Sequence, residues 1–339
     1  MTTTCFTFTL SEEEAQALER LLATGNYLPK EVPYARAAAV REGVVIVLYA
    51  SRKLVVQGKA AEEFVTCTLE PEILKRAETA LSALAEETED AKPHMGVDES
   101  GKGDFFGPLV IASAYTDAAT APVLRRMGVR DSKAITSDAA AKKLAADIRR
   151  VLEGRFSVVT VPVEAYNRLH AKMGSINRLL AWGHARAIEN LLETVPDCPR
   201  ALCDQFGPKA QIERALLPRG RKIALDARPK AESDIAVAAA SILAREAFLR
   251  RMEALSEEAG LALPKGAGPQ VKVAAEAVAK KLGAEALGRF VKCHFKTLDE
   301  VLVRLGTTRA AAHLPPAPPP RPFPSSARAG RGPGSTVFS

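Results

Sequence analysis

The sequence predicts an α/β protein, with a mixed or parallel sheet flanked by helices and preceded by a small α+β domain. Between residues 94 and 306, short apolar runs alternate with longer helical patterns, which is typical of strands joined by helices. Residues 1–85 instead combine short alternating strands with a capped helix. The acidic segment 86–93, closed by Pro93, has the composition of a linker between these two domains.

The composition is that of a globular chain without a membrane segment. Of the 339 residues, 47% are hydrophobic and 26% are charged, which excludes a wholly disordered protein. No apolar run reaches the roughly 20 residues that cross a bilayer. The five cysteines are scattered, so a disulfide framework is not expected. We therefore expect a soluble cytoplasmic protein, with a monomer as the default state.

The excess of positive charge is concentrated at the C-terminal end. The net charge is +7, and residues 307–339 contain four arginines and no acid. This segment is rich in Pro, Ala and Gly without periodicity, so it predicts a disordered basic tail. Such a tail can add nonspecific attraction to phosphate or be only a solvated chain end.

Local patterns place the elements of the first domain. Phe6 and Phe8 alternate with threonines in a strand pattern. Ser11, followed three residues later by Glu14, matches a capping box before a helix over residues 15–22. A helix is also expected from Ala60 onward. The next predicted strands, joined by a four-residue turn, are 44–49 and 54–56.

The second domain follows the α/β pattern in order. Its predicted strands are 95–98, 109–115, 156–161, 201–204 and 222–227. Its predicted helices are 119–126, 137–152, 176–192 and 232–255, with further helices between 271 and 305. In a sheet of this class, ligands bind near the C-terminal ends of strands, so residues there are candidates for function.

The densest functional signal joins a strand end to a glycine-rich turn: Gly96-Val97-Asp98-Glu99-Ser100-Gly101-Lys102-Gly103-Asp104-Phe105-Phe106-Gly107-Pro108. It resembles a phosphate-binding P-loop only superficially. Gly103 stands where that loop needs a Ser or Thr hydroxyl for Mg²⁺, and Asp98 and Glu99 would repel phosphate. The P-loop interpretation is therefore excluded.

Carboxylates at a strand end suit a divalent cation, because hard cations prefer oxygen ligands. Asp98 and Glu99 point to opposite faces of a regular strand, so they share a site only where the pleat breaks. The following glycines permit that break and a close backbone approach to substrate. Lys102 could then contact a phosphate. The alternative is an acidic turn exposed to solvent.

Two later segments repeat this arrangement. Asp204 ends an apolar strand just before a Gly-Pro turn, although a lone acid there is also a common turn former. Glu232 and Asp234 open an apolar helix and project in different directions, so at most one should face a site. Their spacing leaves that choice open. Four gathered carboxylates need cations, and two Mg²⁺ ions would suit displacement at phosphorus.

These segments resemble the type 2 ribonuclease H superfamily, and ribonuclease HIII most closely. Residues 98–108 are similar to the family's principal motif, with Gly-Lys-Gly at 101–103 where ribonuclease HII usually has Gly-Arg-Gly. Residues 131–133, Asp-Ser-Lys, resemble a further motif. Residues 230–232, followed by 239–242, resemble another. The resemblance covers nearly all of residues 1–305.

The resemblance implies a ribonuclease H-like mixed sheet and hydrolysis of the RNA strand of RNA–DNA hybrids, leaving 5′-phosphate and 3′-hydroxyl ends. It selects Glu232 over Asp234 as the fourth carboxylate. The implied catalytic and metal-binding residues, holding two Mg²⁺ or Mn²⁺ ions, are Asp98, Glu99, Asp204 and Glu232. The implied substrate contacts are Ser100, Gly101, Lys102, Gly103 and Lys133.

The resemblance also implies that the first domain is similar to the TATA-box-binding protein and grips the hybrid. Residues 1–80 are not basic as a whole, so any grip must come from a local face. The candidates are Tyr49, Arg52, Lys53, Gln57 and Lys59; each, taken singly, could instead be an ordinary solvent-exposed hairpin residue.

Two other functions stay open. A ribonuclease HII-like enzyme would incise at single embedded ribonucleotides, and a non-catalytic protein would only bind hybrids. The presence of all four acids argues against the latter.

Overall fold

Two five-stranded sheets organise the chain in the computed structural model, which describes residues 4–75, 90–129, 135, 137–229 and 231–317. The architecture is mixed α/β, as the sequence predicts. The chain divides into two compact units. One comprises the residues up to Asp98, Ile111–Val158 and His184–Glu246, and the other comprises Glu99–Val110, Val159–Gly183 and the residues from Ala247 onward. The sequence instead places a boundary at 86–93, and those domain limits stay a prediction.

The first sheet is antiparallel and has the order β1-β5-β4-β3-β2. Its strands are β1 Thr4–Thr9, β2 Leu28–Pro29, β3 Ala35–Arg41, β4 Val44–Tyr49 and β5 Lys53–Gly58. The accompanying helices are α1 Glu12–Thr24, α2 Ala61–Phe64 and the π-helical segment Val65–Leu74. One face of this sheet packs with the helices around a core that includes Ile46, Leu48, Leu54 and Val56.

The capping box predicted at Ser11 is confirmed. The Glu14 amide donates to Ser11 Oγ at 3.1 Å, and the Ser11 amide donates to Glu14 Oε2 at 2.7 Å. Helix α1 extends beyond the predicted range 15–22 at both ends. Apolar spacing marks only the residues of the buried face, whereas the first turn is acidic.

Strands β2 and β3 were not predicted. The sequence of β3 is rich in alanine, which is depleted in strands. Six residues of β3 nevertheless pair with β4, with an irregularity between Ala35 and Ala37, and Ala39 is buried in the core. Pairing and burial outweigh the weak local preference of this segment.

The second sheet has the order β10-β9-β6-β7-β8, and β9 runs parallel to both β6 and β10. Its strands are β6 His94–Ser100, β7 Leu109–Thr116, β8 Phe156–Val161, β9 Arg200–Asp204 and β10 Ala224–Arg228. The helices that follow β7 are α3 Ala121–Arg126, α4 Asp138–Val151, α5 Val163–Met173, α6 Ile176–Thr194, α7 Lys209–Ala215, α8 Ile235–Ala259, α9 Pro269–Leu282, α10 Leu287–Phe290 and α11 Lys296–Arg304.

All five predicted strands of this sheet are present, within two residues at each end. Helices α5 and α7 were not predicted. The predicted helix 232–255 is divided into a 3₁₀ turn, Ala231–Ser233, and α8. No helix among the described residues is long and apolar enough to cross a membrane.

The start of the predicted disordered tail at residue 307 needs correction. Ala312 and Leu314 are buried, and Arg309 donates to the carbonyl oxygens of Cys293 and Pro315 at 2.8 and 2.9 Å. Arg309 also forms an ion pair with Asp299 at 2.6 Å. These contacts show that folded structure continues to residue 317. The proline-rich composition gave no sign of them. The remainder of the predicted tail lies outside the described residues.

A close approach of strand to helix fixes the position of β6. A Cβ atom on Gly96 would lie 2.0 Å from the Val237 amide nitrogen and 2.2 Å from the Ala236 carbonyl carbon. Both of these atoms are main chain at the start of α8, so neither can move aside as a flexible side chain would. Only glycine at this position lets α8 pack this closely on the strand.

We therefore expect Gly96→Ala to lower the free energy of unfolding by about 3 kcal/mol, the upper range for overpacking. Thermal or denaturant unfolding measures this change. Gly103→Ala is the matched control, because a Cβ there meets no atom within 4 Å. Equal stability of the two variants would contradict the close approach.

Candidate active site

Asp98 and Asp204 lie at the same end of neighbouring parallel strands. The register pairs Gly96 with Leu202 and Val97 with Cys203, so the two aspartates each occupy the next position along the chain. Both side chains are partly buried, immediately after residues that are fully buried. Parallel pairing is what brings two acids 106 positions apart in sequence to one sheet edge.

Glu232 belongs to the 3₁₀ turn that is bonded to the end of β9. The amide of Ala231 donates to Asp204 Oδ1 at 3.2 Å. Beneath the turn, Ala231 packs with Leu202 and Val237 in a small buried cluster. Glu232 is partly buried and is the next residue along the chain. Glu232 is therefore adjacent in the chain to the residue whose amide binds Asp204.

Asp234 has a structural role instead. Its Oδ1 accepts hydrogen bonds from the amides of Ala236 and Val237 at 3.0 and 3.1 Å, which caps the start of α8. The side chain is 2% exposed and bonds His94 Nε2 at 2.9 Å. Asp234 is thus fully engaged inside the protein, which agrees with the choice of Glu232 as the candidate ligand.

His94 is a buried partner that the sequence did not reveal. Its Nδ1 lies 2.6 Å from the Lys92 carbonyl oxygen, and its Nε2 faces the Asp234 carboxylate. Both neighbours only accept hydrogen bonds, so both ring nitrogens must donate and the ring is protonated. Burial lowers the pKa of His94, but the hydrogen bond and negative charge of Asp234, together with the Lys92 carbonyl oxygen, outweigh burial, so the net pKa is raised.

The contact between His94 and Asp234 shifts the pKa of the Asp234 carboxylate in the opposite direction. Burial raises the pKa of Asp234, while the His94 ion pair and the two helix amides lower it, and the net pKa is below its usual value. His94 and Asp234 therefore form a charged, buried pair. The only sequence signal for it was an acid at the start of an apolar helix.

The glycine-rich segment after Asp98 begins the second unit. Lys102 Nζ donates to Glu99 Oε1 at 3.3 Å, and both side chains are partly buried. Gly101 has φ of +88°, and a Cβ there would lie 2.3 Å from the Pro108 carbonyl oxygen. Gly103 is exposed, and nothing lies within 4 Å of where its Cβ would be. The backbone at Gly103 is accordingly open to a ligand. Ser100 ends β6 and is partly buried.

The candidate hybrid-binding residues within residues 1–85 lie around the hairpin of β4 and β5. Leu54 and Val56 are buried in the core, whereas Lys53 and Gln57, on the opposite face of β5, are exposed. Arg52 lies in the turn with φ of +64°. The remaining candidates flank these two strands: Tyr49, which is partly buried, and Lys59, which is exposed. The structure thus places Lys53 and Gln57 on the face of β5 away from the core.

Lys133 and the rest of the predicted Asp-Ser-Lys segment lie outside the described residues.

The donor set suits a hard divalent cation in its chemistry. Asp98, Asp204 and Glu232 supply carboxylate oxygens in the first unit, and Glu99 is the next residue after Asp98. In the part of the chain that the structure describes, no three His, Cys, Asp or Glu side chains converge as a metal-binding group. The oxygen donors of these acids suit a metal ion, and Asp98 and Asp204 lie at neighbouring strand ends. The described residues do not form an assembled coordination shell.

Comparison with protein families gives two matches. The family "Ribonuclease HII" matches residues 95–298, and "Domain of unknown function (DUF3378)" matches residues 7–79.

Similar curated proteins and solved structures carry related names. A protein named Ribonuclease HIII from Protochlamydia amoebophila (strain UWE25) is 40% identical over 301 residues, covering 89% of this chain and 98% of that protein. A Ribonuclease HIII from Chlamydia pneumoniae is 41% identical, covering 87% and 97%. The crystal structure of Bst-RNase HIII in complex with Mn²⁺ has a TM-score of 0.62 at 33% identity, covering 89% of this chain and 99% of that one.

The buried pair predicts a large effect of His94→Asn on stability. The substitution removes the buried cation and leaves the Asp234 carboxylate only the half-exposed Arg228 guanidinium, 3.9 Å away, so we expect a loss of about 3 kcal/mol in the free energy of unfolding. The matched control is His313→Asn, an exposed histidine at φ of +50°, a conformation that asparagine tolerates.

Adding Asp234→Asn to His94→Asn should recover part of that loss, because no unpaired charge then remains buried. Denaturant unfolding of the unmodified protein, His94→Asn, Asp234→Asn and the double variant tests this. Simple additivity of the two substitutions would show that they are not a charged pair.

Proposed function

This chain belongs to the ribonuclease HIII family and is a ribonuclease H, and on that premise we propose that it cuts the RNA strand of RNA–DNA hybrids at internal phosphodiesters. We propose hydrolysis that leaves 5′-phosphate and 3′-hydroxyl ends. The observation that carries this proposal is the equivalent placement of Asp98 and Asp204 on neighbouring parallel strands. We further propose that the protein acts in the cytoplasm as a monomer.

We assign metal binding to four carboxylates: Asp98, Glu99, Asp204 and Glu232. Two Mg²⁺ or Mn²⁺ ions bound there would supply Lewis acidity for the attack of water on phosphorus and for departure of the 3′ oxygen. In this assignment Asp98 and Asp204 would bridge the ions or bind the one on the side of the attacking water, while Glu99 and Glu232 would complete the shells. The supporting chemistry is the oxygen-only donor set.

The glycine-rich segment is assigned to recognition of the ribose. The 2′-hydroxyl separates RNA from DNA at the cut, and a backbone without side chains can approach it closely. The open surface at Gly103 supports this role for residues 101–103, with Ser100 beside them. Lys102 and Lys133 would contact the phosphates that flank the cut.

The first domain is assigned to gripping the hybrid. Lys53 and Gln57 are exposed on one face of β5, and Arg52 and Lys59 flank that strand. Cationic and amide side chains bind phosphate oxygens without reading sequence, which suits a hybrid of any sequence. Tyr49, at the end of β4, can contribute an aromatic ring.

Asp204→Asn tests the metal assignment. The amide keeps an oxygen for the Ala231 amide but removes the charge, so we expect cleavage to fall by about 10²–10³-fold, the cost of removing one preorganised electrostatic contact from an active site. Hybrid binding should remain within about twofold. Gels of labelled hybrid incubated with Mg²⁺ or Mn²⁺, plus an EDTA control, measure cleavage. Filter binding measures the affinity for the hybrid.

The control variant is Asp226→Asn, the same change at an exposed position on the neighbouring strand β10. It should cleave as the unmodified protein does. Retained cleavage by Asp204→Asn would refute the metal assignment. Absence of cleavage by the unmodified protein, with binding retained, would instead favour the non-catalytic alternative.

A substrate with a single embedded ribonucleotide separates ribonuclease HIII from ribonuclease HII behaviour. We expect such a duplex to be cut much more slowly than a hybrid with a continuous RNA strand, because residues 101–103 carry Gly-Lys-Gly and residue 232 is Glu. Parallel gels with both substrates give the ratio of rates. Equal rates would favour the ribonuclease HII-like alternative.

The paired substitution Lys53→Ala with Gln57→Ala tests the first domain. We expect KM for the hybrid to rise about tenfold with kcat unchanged, because the substitutions remove contacts that bind the substrate and the transition state equally. Lys30→Ala, another exposed lysine of this domain, is the control. A fall in kcat at constant KM would contradict a role confined to gripping the hybrid.

A further inference from the structure

Lys292 is fully buried, which is rare for a lysine because its ammonium loses contact with water. It lies in the second unit, after α10. Burial lowers the pKa of this side chain to about 7, and the negative charge of Asp104 acts in the opposite direction. A group that costs this much to bury usually has specific polar partners.

The partners are main-chain carbonyl oxygens of one short segment. Lys292 Nζ donates to the carbonyl oxygens of Asp104 at 2.8 Å, Phe106 at 3.4 Å and Gly107 at 2.7 Å. An ammonium group has three N–H bonds, so its donors match these three acceptors. A single side chain thereby fixes the orientation of three peptide units in the segment that follows Gly101-Lys102-Gly103.

Backbone hydrogen bonds attach the same segment on either side of the lysine. The Lys292 amide donates to the Phe105 carbonyl oxygen at 2.8 Å, and the Gly107 amide donates to the Phe290 carbonyl oxygen at 3.0 Å. The Phe105 amide and the Gly266 carbonyl oxygen are 2.9 Å apart, and Asp104 Oδ1 accepts from the Gly266 amide at 2.6 Å. Residues 104–107 are consequently held from two directions.

The segment that carries Lys292 is itself clamped by Asn167 of α5. Asn167 Nδ2 donates to the carbonyl oxygens of Gly288 and Val291 at 3.1 and 2.9 Å, and its Oδ1 accepts from the Cys293 amide at 2.8 Å. Asn167 is 6% exposed. Lys292 therefore extends from a rigid base, as a residue that sets the geometry of another segment needs to.

We propose that Lys292 is a positioning residue, which holds residues 104–107 so that the preceding Gly101-Lys102-Gly103 segment presents its backbone to the ribose at the cut. The catalytic part of this inference rests on the proposed ribonuclease H reaction; the anchoring part does not. Gly101 and Gly107 fix the two ends of the turn by their positive φ angles of 88° and 84°. Lys292 fixes two peptide units between them, through the carbonyl oxygens of Asp104 and Phe106, and the peptide unit that follows Gly107.

Amide hydrogen exchange tests the anchor without any substrate. In the unmodified protein, the amides of Phe105 and Gly107 should exchange as slowly as those of core strands, and rapid exchange would overturn the proposal. In Lys292→Met, which keeps the shape and removes the donors, exchange across 104–107 should rise at least about tenfold. Exchange in α9 should not change. Unchanged exchange in residues 104–107 of a folded variant would overturn the anchor.

Two further variants complete the comparison. Lys281→Met is the control, because Lys281 also donates to a backbone carbonyl oxygen, that of Gly260 at 3.1 Å, but at an exposed position. It should leave exchange in residues 104–107 unchanged. Lys292→Gln keeps two N–H donors and should give intermediate exchange; it also provides the measurement if Lys292→Met does not fold.

Steady-state cleavage of hybrid tests the catalytic part. For Lys292→Met we expect kcat to fall by about 10²-fold, the cost of a displacement near 1 Å, while KM stays within about threefold. Lys292→Gln should recover part of kcat. Faster loop exchange with unchanged kcat would overturn the link to catalysis. An inactive unmodified protein would refute the proposed reaction instead, and the exchange data would still decide the anchor.

Discussion

The main-chain contact between β6 and the first turn of α8 is the constraint on which the candidate site depends. It requires glycine at position 96, and it places the strand that carries Asp98 directly against the helix whose start Asp234 caps. The buried cluster of Leu202, Ala231 and Val237 extends this packing to the end of β9. Acids from distant parts of the sequence reach one edge because small residues let the backbone elements approach so closely.

Two acids separated by one residue have opposite roles in this arrangement. Asp234 satisfies helix amides and a buried imidazolium, so its charge is neutralised within the protein. Glu232 lies in the preceding 3₁₀ turn and stays partly accessible. The two side chains differ because residues two apart on a helical turn project in different directions, and Asp234 occupies the position that caps α8.

Sequence patterns predicted the elements whose cause is local. The capping box at Ser11, the strand Phe156–Val161 and the strand end at Asp204 all depend on neighbouring residues. Strand β3 was not predicted, because its alanine-rich sequence has little strand preference of its own and forms a strand by pairing with β4. His94 and Lys292 were missed for a related reason: their partners lie 140 and 185 or more positions away in the chain. The placement of Asp98 beside Asp204 needed the parallel register, which composition does not specify.

The contacts of Arg309 determine where the folded chain can be shortened. Its guanidinium connects Asp299 with the carbonyl oxygens of Cys293 and Pro315, so residues 307–317 return to the segment that begins beside Lys292. Removal of residues from 307 onward would expose Cys293 and strip a buried leucine from the structure. A shortened form for crystallisation should therefore retain residue 317, although composition alone would place the cut eleven residues earlier.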